Sequence, residues 1–410
     1  MPHVVALGRR RFIGHALQAA GAGLTLRAPA VLAQQATPDW AEVEARARGQ
    51  TVYFNAWGGS QRVNAYLRWA TDELARLHGV KLEHVKVTDT ADVVKRVRSE
   101  KAAGKLTDGS VDLVWINGEN FLAMKREALL FGPFAERLPN FRWVDVQGKP
   151  TTRIDFSEPV DGLEAPWGMA QLTFFADASR VPQPPQSMRE LLAYARTHPG
   201  RISYPRPPDF TGTTFIKQAW LETLADRSVV AQPYRAESLA RTTAGLWQFL
   251  DALHPHLWRQ GHQFPQNVAA HRQMVADGEL HLGMTFNPNE PANEMSARRL
   301  PDTIRSYQFE SGTLGNTHFL AIPLNARARE GAQVVANFLL SPAAQARKAD
   351  IGIWGDPTVL AVEQLPAAER AAFAQNRHPG QVVRSAPVLP EPHGSWVDPL
   401  EKEWVRRYGR

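Results

Sequence analysis

Apolar positions along the chain follow two alternating periods. Residues 51–57 form an apolar, β-rich run that stops at Gly58-Gly59-Ser60. Residues 61–78 then carry Val63, Leu67, Ala70, Leu74 and Leu77 at helical spacing until Gly79. Residues 80–87 alternate apolar with charged side chains, as a half-buried strand does. A second helix is predicted over 89–103, ended by Gly104, and a third strand over 111–116, broken at Asn117-Gly118. Ahead of all this, 37–49 predicts a short amphipathic helix that buries Trp40. Strands alternating with helices of this length predict parallel βαβ units.

The rhythm changes at 162–177, where Pro166-Trp167-Gly168-Met169 precedes a strand over 171–177. A Pro-rich connector (181–186), a helix (188–197) and a strand (201–204) follow. The loop 205–214 feeds a helix over 215–225. Helices over 236–252 and 267–276 come next, then a short strand, 280–286, that stops at Asn287-Pro288. From Tyr307 the first pattern resumes, with strands over 307–310 and 318–322 and an amphipathic helix over 329–340. Ser341-Pro342 opens a further helix. The tail from 379 is Pro-rich and ends in the aromatic, charged stretch 396–408.

The first 33 residues stand apart. Arg9-Arg10-Arg11-Phe12 precedes a charge-free apolar run over 13–26, and Val31-Leu32-Ala33 follows. A basic start, an apolar middle and a small-residue cleavage site read as an export signal, with the arginine pair of the twin-arginine type. The run is too short and too rich in Gly and Ala for a membrane anchor. Of the formal net charge of +6, four charges come from Arg9, Arg10, Arg11 and Arg27. The basic balance is therefore largely a targeting feature, and nucleic acid is not an expected partner. Lys95-Arg96-Val97-Arg98 lies on a predicted helix and reads as its solvated face. There is no cysteine. That excludes disulfides, a thiol nucleophile, zinc–thiolate and iron–sulfur sites, and a lipidated cysteine after the signal. The 377 residues beyond 33 are enough for two domains.

Three stretches carry a family resemblance: Val111-Asp-Leu-Val-Trp-Ile-Asn117, Pro166-Trp167-Gly168, and Ala321-Ile-Pro-Leu-Asn325 running on through Gly331 to Gln345. Their order resembles the extracellular solute-binding proteins of bacterial ABC importers. It is most similar to the YnjB-like branch of family 1, related to thiamine, polyamine and iron binders. The resemblance implies an α/β, two-lobed, type II periplasmic-binding-protein-like fold, each lobe a mixed sheet flanked by helices. Residues 34–168 with 307–410 would form lobe 1, and 169–306 lobe 2. A small-molecule ligand would sit in the cleft, which closes on binding. The implied partners are a membrane permease with its cytoplasmic ATPase; the protein itself is expected to be a periplasmic monomer with no cofactor.

In open α/β sheets, ligands sit beyond the carboxyl ends of the strands. That rule selects Trp57, Gly58 and Gly59, where glycines admit a close ligand; an ordinary tight turn would also account for them. It selects Asn117, Glu119 and Asn120, with capping by Asn117 as the plainer reading. Thr211, Gly212 and Thr213 at a helix start suit an anionic group, though a Thr cap explains them equally. Asn287 and Glu290 follow the 280–286 strand. Trp167 and Trp354 are the aromatic candidates, against the alternative that both are core. If Glu119 and Glu290 face one another, with Trp57 and Trp167 as ring faces, the ligand is an organic cation such as thiamine or a polyamine. Tyr307 and Tyr408 are isolated, unlike the paired tyrosines of iron binders. The spacing of His254, His256, His262 and His271 does not suit a metal. No Gly-x-Ser-x-Gly, His-Glu-x-x-His, P-loop or dinucleotide fingerprint occurs. A secreted two-domain hydrolase remains the alternative, because paired carboxylates are a spatial feature.

Overall fold

A computed structural model describes residues 39–374, 378–383 and 386–409. The expected export signal lies outside them. The first part follows the predicted rhythm: α1 (Trp40–Ala47), β1 (Thr51–Trp57), α2 (Gln61–His78), β2 (Lys81–Val87), α3 (Thr90–Ala102), β3 (Leu113–Ile116) and α4 (Gly118–Arg126). Strand β1 runs parallel to β2, Thr51 facing Lys81 and Trp57 facing Val87, and parallel to β3. Ser60 caps α2 by accepting from the Val63 amide, and Gly79, left-handed at φ 65°, ends it. The stripe Val63, Tyr66, Leu67, Ala70 and Leu74 is buried, as the spacing requires.

A two-residue ladder, β4 (Ile154–Asp155) with β5 (Glu158–Pro159), leads into β6 (Glu164–Gln171). Pro166-Trp167-Gly168, one of the stretches that carry the resemblance, lies inside β6. That strand runs antiparallel to β10 (Thr313–Ala321), with a register shift between His318 and Phe319 that accommodates the proline. The first sheet has the order β11-β10-β3-β1-β2, with β6 also on β10 and β11 at Val388–Leu389. It mixes parallel and antiparallel pairs.

The second part holds β7 (Thr173–Asp177), α5 (Met188–Thr197), α6 (Phe210–Thr223), α7 (Ala236–Leu253), α8 (Val268–Ala276), β8 (Leu282–Thr285), α9 (Glu290–Ser296) and β9 (Ile304–Tyr307). Its sheet, β8-β7-β9, is antiparallel. The strand expected over 201–204 is absent from the ladders. The Arg201 and Ile202 carbonyls accept from His281 and Trp258, two separate loops, so no partner strand forms. Helix α6 begins five residues before the predicted start, because Asp209 caps it. The chain ends with α10 (Arg329–Leu339), α11 (Pro342–Ala349), α12 (Ala367–Ala371) and α13 (Val397–Tyr408).

Two separate cores result. The first gathers Val52, Phe54, Leu67, Leu82, Trp167, Leu320 and Val335, with Val93, Val114, Phe121 and Phe319 on the other face of its sheet. The second gathers Phe174, Tyr204, Phe215, Trp220, Leu246 and Leu282, together with Trp396, Leu400 and Trp404. The last three correct the expectation that all of 307–410 joins the first lobe. Trp404 donates to the Tyr204 hydroxyl at 2.8 Å and Trp396 meets the Trp220 ring at 5.1 Å, so α13 completes the second core.

Candidate functional site

Strand β1 delivers Trp57 to its carboxyl end, where the ring stays 37% exposed. The Gly58 amide donates to the Val87 carbonyl at 3.0 Å. Gly59 lies under the Trp57 ring, and an added Cβ would fall well inside van der Waals contact with it. Strand β3 ends at Asn117, which takes the N-cap position of α4 but makes no side-chain cap bond. The helix start is satisfied elsewhere: the Gly118 amide donates to Asp155 Oδ2 at 2.6 Å. Asn120 donates to Glu119 Oε1 at 3.0 Å. Loss of water pushes the Glu119 carboxyl up to about 7, against its own backbone hydrogen bond and the Lys217 charge, while Glu401 and Asp89 push it further up.

From the second part, α6 brings Thr211, Gly212 and Thr213 to the same place. All three are buried. The anion cradle expected at this helix start is already filled, because the Asp209 carboxylate accepts from the Thr211 and Gly212 amides at 2.9 and 3.2 Å. The Thr213 hydroxyl donates to Glu401 Oε1 at 2.6 Å. Burial raises Glu401, and Asp398 and Asp89 add to the rise. Phe210, one turn before Thr214, is 38% exposed and meets the Phe286 ring at 5.1 Å. Beneath it Lys217 pairs with Glu391 at 2.6 Å and lies 4.4 Å from the Phe156 ring centroid.

These links join both parts. Trp57 is in register with Val87, and Asp89 follows two residues on. Asp89, Glu119 and Glu401 act on one another electrostatically. Among the described residues, Trp57 and Phe210 are the two aromatic rings more than a third exposed. Sequence reasoning missed Asp89, Phe210, Lys217, Glu391 and Glu401. Glu401 in particular is 188 residues from its partner Thr213, and no local spacing signals that pairing.

Four further candidates fall differently. Trp167 is fully buried in the first core, with Trp115, Trp354 and Phe54 at 5.0, 5.3 and 5.8 Å. Trp354 is 5% exposed and belongs to the same packing. Neither offers a ring face to a ligand. Glu290 does not stand opposite Glu119 as a free carboxylate: it is paired with Arg272 and accepts from the Thr285 hydroxyl. Asn287 donates to the Trp354 carbonyl at 3.4 Å. His254 bonds the Tyr204 hydroxyl at 2.7 Å, and burial takes both it and His271 down to about 4. No group of three or more His, Asp or Glu among the described residues is arranged to hold a metal. No described helix is long and apolar enough to cross a membrane.

Comparison with known proteins agrees with this architecture. Residues 69–375 match the family model described as bacterial extracellular solute-binding protein. The chain is 48% identical over 371 residues to protein YnjB of Escherichia coli K12, covering 90% of this chain and 94% of that one. Among solved structures it is similar to the periplasmic binding protein AfuA from Actinobacillus pleuropneumoniae, a complex with fructose-6-phosphate. The TM-score is 0.62 at 14% identity, over 88% of this chain and 99% of the other. It is likewise similar to the spermidine/putrescine ABC transporter substrate-binding protein PotD from Streptococcus pneumoniae, with TM-score 0.58 at 11% identity, over 88% and 98% of the two chains. These neighbours are two-lobed type II binding proteins, and their family serves transport rather than catalysis, which removes the hydrolase alternative. The chain belongs to the bacterial extracellular solute-binding proteins, the components of ABC importers that bind small solutes and deliver them to permeases.

Proposed function

We propose that this protein captures a small organic cation, of the thiamine or polyamine kind, between its lobes and hands it to the permease of an ABC importer. The observation that supports this reading is the grouping of Asp89, Glu119 and Glu401 with the exposed rings of Trp57 and Phe210. Carboxylates balance a cation's charge, and ring quadrupoles attract it. The helix starts that would hold an anion already carry acidic side chains, Asp209 at α6 and Asp155 at α4. The lobes on this reading are 39–168 with 307–395, and 169–306 with 396–408. Contacts from both stabilise the closed form. The protein reaches the periplasm through its N-terminal signal, by the twin-arginine route, and works there as a monomer.

The test is calorimetry on residues 34–410 after unfolding and refolding to remove carried-over solute. Thiamine, spermidine, putrescine and choline form one panel; fructose-6-phosphate and sulfate form the other. A cation at about 100 times its Kd stabilises the fold by about 2.7 kcal/mol. Binding of an anion with no response to any cation refutes the proposal.

A further inference from the structure

The two cores also meet away from Glu119. On the first-core side lies the loop 351–356, which follows α11 and seats Trp354 in the core. On the second-core side lie Asn287, Asn289 and Asn293, at and beyond the end of β8 and on α9. The Asn289 amide donates to the Gly355 carbonyl at 2.7 Å, and Asn287 and Asn293 both donate to the Trp354 carbonyl. The fit is close. Gly355 has φ +79°, and an added Cβ there would lie 2.9 Å from Asn289 Cβ.

Arg62, in the first turn of α2, completes this junction. Its Nη1 donates to the Gly352 carbonyl at 2.8 Å and its Nη2 to the Asn293 carbonyl at 2.8 Å. One guanidinium thus bonds backbone from both sides at once. A cation in the first turn of a helix opposes the helix dipole, so the carbonyls, not α2, hold it there. Glu294 on α9 adds a favourable charge, shared with Arg299 and Arg272. Other bonds between the two sides fall in two groups: those at the chain crossing, the Gln171 amide to the Phe286 carbonyl at 3.1 Å and the Met169 amide to the Pro357 carbonyl at 3.0 Å, and those made by the carboxyl-terminal tail, among them Gln381 to Asn289 at 3.0 Å and Lys217 to Glu391 at 2.6 Å. The first group are pivot contacts, adjacent to the covalent link 171–173. The Arg62 bridge is made by side-chain arms that separate without disturbing either core.

We propose that Arg62 is a positioning residue for solute capture: by bridging Asn293 and the 351–353 loop it latches the closed arrangement of the lobes. It sets affinity through the closed population, without touching the solute. The inference needs only a two-lobed binding protein that closes, so it stands or falls independently of the cation reading.

The experiment is small-angle X-ray scattering on refolded protein saturated with whichever solute of the calorimetry panel binds it, comparing the parent with Arg62→Ala and Arg62→Lys. Loss of the charge-assisted bonds lowers the closed-to-open ratio by roughly 10- to 100-fold. The radius of gyration should then rise by roughly 1 Å from the value of about 21 Å expected for a compact chain of this length. Arg62→Lys keeps the charge but not the two-armed reach, so it should shift the radius in the same direction by less. It also serves if the alanine variant fails to fold. Near-ultraviolet circular dichroism checks that both cores stay packed. An unchanged radius in a folded Arg62→Ala, or in Arg62→Lys where only that variant folds, overturns the proposal.

Discussion

Replacing Lys217 with methionine removes the positive half of a buried ion pair and leaves the Glu391 carboxylate without its counter-ion. The two side chains are 2% and 1% exposed and lie 2.6 Å apart. At that distance and an effective dielectric of about 20, their attraction is about 6 kcal/mol. Desolvation of the two ions consumes most of it, so the intact pair contributes little net stability. Removing one partner is different. Asn316 still donates to Glu391 at 3.1 Å, but one neutral amide does not replace an ammonium. The expected loss is about 3–5 kcal/mol for Lys217→Met, and similar for Glu391→Gln. The double variant should regain most of it, because no unpaired charge remains. Urea unfolding at neutral pH, analysed as a double-mutant cycle, measures all three. A single-variant loss under about 1 kcal/mol, or a double variant whose loss is the sum of the two, refutes this account of the pair.

Further outcomes follow from the same geometry. Glu119 takes up a proton more readily folded than unfolded, being raised from 4.5 to about 7, so stability falls as pH rises across that window and levels off above it; in melting curves from pH about 5 to about 8, Glu119→Gln should flatten part of this slope, and an unchanged slope would show that another group causes it. Glu119→Gln should weaken binding of a cationic solute, whereas Glu290→Gln should leave affinity unchanged and lower stability by about 1 kcal/mol, since Arg272 loses one carboxylate and keeps Glu294 at 3.4 Å; calorimetry beside urea unfolding separates the two, and the reverse assignment would move the site. Gly168→Ala places a methyl against Asp356 and His318, where Asp356 also pairs with buried Lys348, and should cost about 1–3 kcal/mol in urea unfolding; a neutral effect would mean that β6 shifts freely.

Legibility of the sequence varied with the range of the interactions. Strand β1 and helix α2 could be read because period, cap and stop agree within 30 residues: apolar alternation, Ser60, then Gly79. Strand β6 was hidden by Pro166 and Gly168, which are unfavourable inside a strand and are accommodated where the pairing with β10 shifts register opposite them. The start of α6 was hidden because Asp209-Phe210-Thr211-Gly212 has turn composition; the Asp209 cap tipped it to helix. At the site, Glu119 and the Trp57 turn could be chosen from strand ends alone. Glu401 and Lys217 could not, since their places depend on where a distant tail folds back. Trp167 and Trp354 look identical in sequence to exposed rings, and only packing on each other and on Phe54, Tyr66, Trp115 and His318 makes them core.

The last helix has a consequence for how the protein comes into being. Trp396, Leu400 and Trp404 fill a cavity framed by Tyr204, Phe215 and Trp220, residues made some 180 positions earlier. Until residues 396–404 are in place, that half of the molecule has no finished interior. The chain therefore stays incompletely folded until that helix docks, and its long-range closure is intrinsically slow. An early stop ahead of Trp396 would leave an unplugged aromatic hole rather than a shortened tail.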